Sequence, residues 1–439
     1  MKSAEFETTV NDAIQYARNK GVAAVEANIG SGTGFSVTAR LGEVETVEHQ
    51  NDKGLSITLY IGTKKGSAST SDFSTKALEE TIDAAYAIAS HSGEDDCAGL
   101  IESEYLAKDI PELELSNDWE ISPESAIEMA KECEDIARQY DNKITNSEGA
   151  TIQTYCGQHY YGNSHGFTGG WEWTTHSIDC SVIAESDGHM QRDGWYTRAR
   201  DPQVLENNKS VGEKAAIRAI KRLDSRKTPT SNVPVIFEAQ VASSLFGSLI
   251  NGISGSAQYR KSSFLLDKKD KKIFPDHINI EERPHIKKAI GSSPFDNDGM
   301  ATCNRSIIKD GVLQGYLLSA YSARKLNMKP TGNAGGIHNL IVKPGPDDLD
   351  AMIKNMGKGL LVTDLIGFGI NLVTGDYSRG AAGFWIENGE IQYPVEEITI
   401  AGNLSDMFAQ IVTTGKDIDV RGNIQTGSVW LENMTVAGS

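Results

Sequence analysis

The chain is 439 residues long, 39% hydrophobic and 23% charged, with 43 glycines and 12 prolines. At roughly 150 residues per domain this is a globular protein of two or three domains, and disorder, collagen and coiled coil are excluded on composition alone. The formal net charge of −18 is uneven, residues 1–230 carrying 22 basic against 38 acidic side chains and the remainder 20 against 22, so the surface repels phosphate and disfavours direct nucleic-acid binding.

The first residues, Met1-Lys2-Ser3-Ala4-Glu5-Phe6-Glu7, carry acids where a secretory leader needs a basic patch and an apolar core, so a cytoplasmic protein is expected. No membrane span is expected either, because the apolar stretch 359–373 is broken by Asp364 and by glycines and is shorter than the ~20 residues required. A helix opens at Ser3, with Phe6, Val10, Ala13, Ile14 and Ala17 on one face and Gly21 as its stop. Short strands follow at 23–29, 37–41 and 55–61, the last alternating through Leu55, Ile57, Leu59 and Ile61. A second helix is predicted over 74–91. A third starts at Ser122-Pro123, a cap followed by a first-turn proline, with Ala126, Met129, Ala130, Cys133, Ile136, Ala137 and Tyr140 on one stripe.

From 143 to 200 the pattern is strands with Asn/Gly punctuation, and the two Asn-Ser-x-Gly elements at 146–149 and 163–166 read as related turns. A helix over 210–223 leads into a polar, proline-bearing segment that marks a boundary between a domain of residues 1–225 and one of residues 233–439. The second begins with a strand (233–237) and a helix (240–253) and then turns to hairpins, signalled by Asp310-Gly311 and Asn388-Gly389 between apolar runs. The fold class is therefore α+β: N-terminal helices packed on a mainly antiparallel sheet, then a β-rich C-terminal domain.

The motifs alone assemble no catalytic constellation. Five cysteines without a Cys-x-x-Cys pair suggest reduced, mostly buried thiols. Cys156, His159, His165, His176 and Cys180 are rich in ligand types, but strand geometry puts Cys156 and His159 on opposite faces and separates His176 from Cys180 by about 13 Å. Gly162-Asn163-Ser164-His165-Gly166 matches a nucleophile elbow by letter, yet a strand rather than a helix follows it. Pro284 breaks any helix aligning His277, Glu281, Glu282 and His285. The run Thr331-Gly332-Asn333-Ala334-Gly335-Gly336 lacks the ending of a phosphate loop, and the lysines at 268, 269, 271 and 272 read as a solvated loop.

One stretch is more distinctive. Thr374-Gly375-Asp376-Tyr377-Ser378-Arg379-Gly380-Ala381-Ala382-Gly383-Phe384-Trp385-Ile386-Glu387-Asn388-Gly389-Glu390, with Ile398-Thr399-Ile400-Ala401-Gly402-Asn403-Leu404 and the end Asn433-Met434-Thr435-Val436-Ala437-Gly438, closely resembles the PmbA (TldE) branch of the TldD/PmbA family, historically called modulators of DNA gyrase. The resemblance covers essentially the whole chain. It implies a subunit of a cytoplasmic metallopeptidase system that pairs a TldD-type with a PmbA-type chain and acts on peptides and small or unfolded proteins. In TldD-type chains His-Glu-x-x-x-His on a helix, with a cysteine near the C-terminus as a further ligand, holds zinc or a similar divalent metal, which activates water with the glutamate as base. Here the corresponding positions are Phe246, Gly247 and Asn251, and residues 421–430 contain no cysteine. The expectation is a subunit without its own metal or other cofactor that holds substrate for its partner by β-augmentation. Asp376, Tyr377, Ser378, Arg379 and Gly380 are the candidate substrate-binding strand, Arg379 pairing with a substrate carboxylate or with Asp376.

Two rival readings remain. One is an independent metallopeptidase with ligands among His159, His165, His176 and His189. The other is a non-enzymatic regulator of DNA gyrase or another topoisomerase. A homodimer is expected when the TldD-type partner is absent, because a surface shaped for a related subunit can pair with itself.

Overall fold

The structure, a computed structural model, describes residues 3–438. Its first half is built on strands much longer than the sequence pattern suggests. The run read as two short strands is a single one, β1 (Ala24–Arg40), followed by β2 (Glu43–Ile61) and β3 (Lys64–Thr70). After two helices come β4 (Ile144–Asn163), β5 (Thr168–Ser186) and β6 (His189–Ala199). The six form one antiparallel sheet in the order β3-β2-β1-β4-β5-β6. Gly30, Gly32 and Gly34 lie mid-strand and do not end it. The Tyr155 ring lies across Gly32 and Gly34, where a Cβ would collide with it, so glycine here makes room for an aromatic side chain.

The two Asn-Ser-x-Gly elements are not related turns. Residues 146–149 sit inside β4 at register shifts against β5, with Ser147 Oγ accepting from Gly149 N at 2.8 Å, which is a bulge. Residues 163–166 form the β4–β5 turn, with Asn163 Oδ1 accepting from His165 N at 3.1 Å.

Four helices cover one face of this sheet. α1 (Ser3–Asn19) and α2 (Thr75–His91, capped by Ser74) pack Phe6, Val10, Ile14, Leu78 and Ile82 on Ala27, Ile29 and Ile57. α3 (Pro123–Gln139, capped by Ser122) and α4 (Asn208–Lys221, capped by Asn207) pack Ala130, Cys133, Ala137 and Ala215 on Val37, Ile152, Ile178 and Val182. Two pairs are required because β4 spans roughly 65 Å at ~3.3 Å per residue, whereas a 17-residue helix spans about 25 Å. Cys156 lies on the strand between the two cores and is exposed, as is Cys303. The expectation of mostly buried thiols thus holds for Cys133 and Cys180 and fails for these two.

The second half opens with β7 (Ser231–Phe237), α5 (Ala239–Gly252) and α6 (Gly255–Tyr259). β8 (Ile280–Glu282), β9 (Arg305–Lys309), β10 (Val312–Leu313), α7 (Ala320–Lys325), β11 (Leu340–Val342) and α8 (Leu349–Met356) follow. The chain ends with β12 (Gly359–Ile366), β13 (Asp376–Glu387), β14 (Glu390–Asn403), α9 (Leu404–Ala409), β15 (Ile411–Thr414), β16 (Ile424–Gln425) and β17 (Val429–Ala437). One small sheet runs β10-β9-β8-β11-β16, and the larger runs β14-β13-β12-β7-β17-β15. A further β14–β17 pairing closes β14, β13, β12, β7 and β17 into a ring. Both predicted tight hairpins are present, with positive φ at Asp310 and Gly311 and at Asn388 and Gly389, as a type I′ turn demands. The polar segment between the halves is not a free linker, for Arg226 bridges Val395 on β14.

The halves meet along a seam of aromatic rings and arginines. Phe295 packs edge-on against Phe167 and Trp171, both at 4.9 Å between ring centres. Arg324 donates to the carbonyls of Cys97, Gly99 and Leu100, and Arg200 donates to those of Ala289 and Ile290. The seam buries the Asp296 carboxyl and half-buries those of Glu26 and Asp298. Glu26 accepts from the hydroxyls of Tyr60 and Tyr161, each at 2.9 Å, and Asp298 accepts from Ala320 N at 2.8 Å. Burial raises both pKa values, and burial with the Asp298 charge beside it pushes Asp296 up to about 7. Arg324 and Lys65 oppose the rise at Asp298, and Glu102 adds to it.

A carboxyl whose folded pKa is raised contributes stability below its unfolded pKa near 4, and loses that contribution as pH rises through the folded value. Asp298→Asn, which keeps the acceptor and cannot ionise, should therefore gain on the parent as pH rises from about 4.5 to about 8. Thermal melts of both proteins across that range check this, and a constant difference would show that Asp298 does not titrate at the seam.

Candidate functional site

α5 is held in place by its apolar stripe. Leu245, Phe246, Leu249 and Ile253 are buried against Val235, Phe237, Leu360 and Val362 of the ring. Its first amide, Ala239 N, donates to Ser428 Oγ at 3.1 Å, and that hydroxyl donates to Asp417 Oδ2 at 2.6 Å. The C-terminal segment on which the family resemblance would place a metal-binding cysteine therefore does run beside this helix.

Phe246 is fully buried, Asn251 is exposed, and the space around Gly247 is open, with no atom within 4 Å of where a Cβ would stand. The serines of the helix return their hydroxyls to its own carbonyls, Ser244 to Val241 at 2.7 Å and Ser248 to Ser244 at 3.2 Å. A benzyl group, a hydrogen and a carboxamide offer no thiolate, imidazole or carboxylate donor, so the residues present do not fit a divalent metal ion at these positions. No step through a metal follows from them.

The strand from Asp376 to Gly380 lies close by. Phe264 packs at 3.0 Å from the position a Gly252 Cβ would take, and its amide donates to Leu372 O at 2.8 Å. This strand offers no free edge, contrary to the expectation. On one side it pairs with β14 from Asn403 to Thr399. On the other, Ser378 N donates to Gly369 O at 2.7 Å and Asn371 N to Asp376 O at 2.8 Å, so residues 369–371 occupy the position a peptide would take. Nor does Arg379 pair with Asp376, because the two point to opposite faces. Asp376 accepts from Thr374 Oγ1 at 2.6 Å, while Arg379 donates to Leu365 O at 3.3 Å and leaves its Nε buried without a partner.

The buried Tyr377 hydroxyl lies against that guanidinium without hydrogen-bond geometry, and burial pushes its pKa up to about 12. Ser378 is exposed, and Gly380 admits the Ile366 side chain of β12, 3.2 Å from where its Cβ would stand. The sequence reading missed the loop beside this strand. Ile366, Phe368 and Val373 are 58%, 99% and 54% exposed, a surface concealed in the sequence by the apolar strand residues that precede it.

The remaining candidates serve the fold. His176 bonds Thr154 Oγ1 and Asn117 O, both at 2.8 Å, and His165 bonds Ile101 O at 2.8 Å. His159 lies tilted against Trp171 at 4.7 Å between ring centres, and His189 sits exposed at the start of β6. Among the described residues no three His, Cys, Asp or Glu side chains stand close enough to hold a metal ion. Ser164, at the centre of the elbow-like motif, is spent on Val25 N and Ala23 O. Glu282 is a buried anchor that accepts from Arg305 at 2.7 Å, from Asn333 of the glycine-rich turn at 2.7 Å and from His338 at 2.9 Å. Burial alone would raise its pKa, but the bonds from His338 and the Arg305 charge hold it below the usual carboxylate range.

Comparison with known proteins covers the whole molecule. The profile of the PmbA/TldA metallopeptidase C-terminal domain matches residues 230–438, that of the central domain residues 116–223, and that of domain 1 residues 25–89. The chain is 49% identical to the Metalloprotease PmbA of Escherichia coli O157:H7, over 99% of this chain and 96% of that one. It is 45% identical to a Metalloprotease PmbA homolog of Haemophilus influenzae, over 99% and 96%. The crystal structure of a candidate modulator of DNA gyrase from Bacteroides thetaiotaomicron superposes with a TM-score of 0.95 at 29% identity, covering 100% of both chains.

The open space at Gly247 makes its own prediction. Nothing around this mid-helix position requires glycine, so Gly247→Ala should stabilise the protein by about 0.5–1 kcal/mol through backbone entropy alone. Urea denaturation measures it, and a loss of stability would mean that the space is structurally required.

Proposed function

Because the chain belongs to the PmbA/TldD metallopeptidase family, we propose that it is the subunit of a two-component peptidase that shapes the site and holds substrate, while a TldD-type partner carries the metal. The substrates are peptides and small or unfolded polypeptides, and the compartment is the cytoplasm. The observation that carries this reading is the chemistry of α5. The helix keeps its apolar stripe and its contact with the C-terminal segment, while Phe246, Gly247 and Asn251 stand where the resemblance puts the metal ligands and the base. A surface with open space and no ionisable group receives a chain without reacting with it.

Within this subunit the Asp376–Gly380 stretch contacts substrate. Backbone pairing there requires residues 369–371 to swing away, and the exposed side chains of Asp376 and Ser378 can be reached without that motion. In the absence of the TldD-type subunit, the surface shaped for that subunit pairs with a second copy of this chain.

Two measurements test the reading. The purified chain should contain no stoichiometric metal and cleave no unfolded casein alone, and mixing it with a TldD-type subunit should give cleavage that neither shows singly. Stoichiometric metal and cleavage by the isolated chain would overturn the assignment. In the mixture, Ser378→Ala and Arg379→Ala should raise the KM for peptide with little change in kcat, and unchanged turnover by both would remove this strand from the substrate path.

A further inference from the structure

A free strand edge lies in the first half of this molecule. β3 pairs with β2 only from Leu55 to Ile61. From Glu43 to Gly54, no described strand lies on the side of β2 away from β1, and all but half-exposed Gln50 are exposed. This stretch carries four carboxylates (Glu43, Glu45, Glu48, Asp52) and one lysine, Lys53. One of the four, Glu45, is already paired with Arg40 at 3.3 Å.

Beside the edge, on the sheet face away from the helices, lies a trough of about 510 Å³. Its floor is bare backbone at Gly30 and Gly54, which face each other in the register Gly30↔Gly54, and beside them the Tyr155 ring covers Gly32, the partner of Asp52. Tyr155 reaches across β1 to bring its hydroxyl 3.4 Å from Asp52 Oδ2, and it stacks on Trp173 at 5.4 Å. At the inner end His159 keeps Nδ1 buried without a hydrogen-bond partner. Burial lowers its pKa to about 4, so the ring is neutral at physiological pH and does not repel a cation.

We propose that this edge and trough form a strand-acceptor site for an extended, basic segment of substrate polypeptide. The segment adds to β2 through backbone hydrogen bonds, which tolerate many sequences, and alternate side chains fall on the trough face. A lysine or arginine opposite Asp52 meets its carboxylate and the Tyr155 ring together, an ion pair reinforced by a cation–π contact. A second copy of this edge is excluded as occupant, because edge-to-edge pairing would bring like charges together. The site rests on the first sheet alone and involves neither a metal nor a partner subunit, so its test is separate from that of α5.

The experiment uses the full chain and a fluorescein-labelled, acetylated peptide of alternating lysine and valine, with binding read by fluorescence anisotropy at low salt. Binding should weaken about fivefold or more in Asp52→Asn. It should also weaken in Gly54→Leu, which fills the trough at a position where a Cβ meets nothing within 4 Å. Against the unmodified protein, a peptide of the same sequence with alternate N-methylated amides should not bind, and a glutamate-valine peptide should not bind either. Equal binding of the N-methylated or the glutamate peptide, unchanged affinity in Gly54→Leu, or no binding of the lysine peptide at millimolar concentration would each overturn the site.

Discussion

The length of the strands in the first sheet governs much of the molecule. A sheet with strands of 17 to 20 residues exceeds what one helix pair can cover, so the chain lays two pairs end to end on the same face and builds two separate cores. The gap between them exposes Cys156. Among the described residues no helix packs on the opposite face, and the second half meets the sheet around Tyr161, Phe167 and Trp171 and, through Arg421, at Tyr196. Over the rest the chain protects its ladder without a further layer, by laying Tyr155 across Gly32 and Gly34 and Trp173 across Gly157. Aromatic rings shielding cross-strand glycines are a known way of stabilising an otherwise bare sheet.

The second half solves the edge problem differently, by closing five strands into a ring. α5 packs on this ring through side chains that have no chemistry. Phe246 is fully buried, and a buried aromatic side chain stabilises the helix where a polar side chain left without a bonding partner would cost stability. A helix anchored in this way keeps its position whether or not its outer face carries catalytic groups. Retention of the fold and absence of the donors are therefore compatible, and the geometry around Gly247 and Asn251 is free to serve binding.

What could be read in the sequence was local. Ser122-Pro123 and Ser74 cap helices because a hydroxyl accepts from an amide three residues on, and Asp310-Gly311 and Asn388-Gly389 force hairpins because both residues take positive φ. The α+β class followed from those elements. The run Gly30 to Gly34 misled, because glycine normally marks a turn, and the reason for it here is a ring from residue 155, more than a hundred positions away. Residues 146–149 misled similarly, since a bulge and a turn use the same letters. Ring closure depends on β14 meeting β17, a pairing with no local signal. At the candidate site the strand Asp376–Gly380 was legible as unusual, but its edge is occupied by a loop whose position only tertiary structure reveals.

The two halves thus differ in where they can accept another chain. Full closure removes edges, so in the ring a peptide must displace residues 369–371 before it can pair. The first sheet is open, and its exposed stretch of β2 is guarded by charge and not by cover. Carboxylates on an edge discourage pairing with neutral or acidic strands, including a second copy of the same strand, through repulsion that grows as the strands approach. That repulsion becomes attraction for a basic segment, so the same residues that keep the edge from aggregating also select what adds to it. The uneven charge of the chain, concentrated in the half that has the open edge, extends this selection from contact distance to the approach itself.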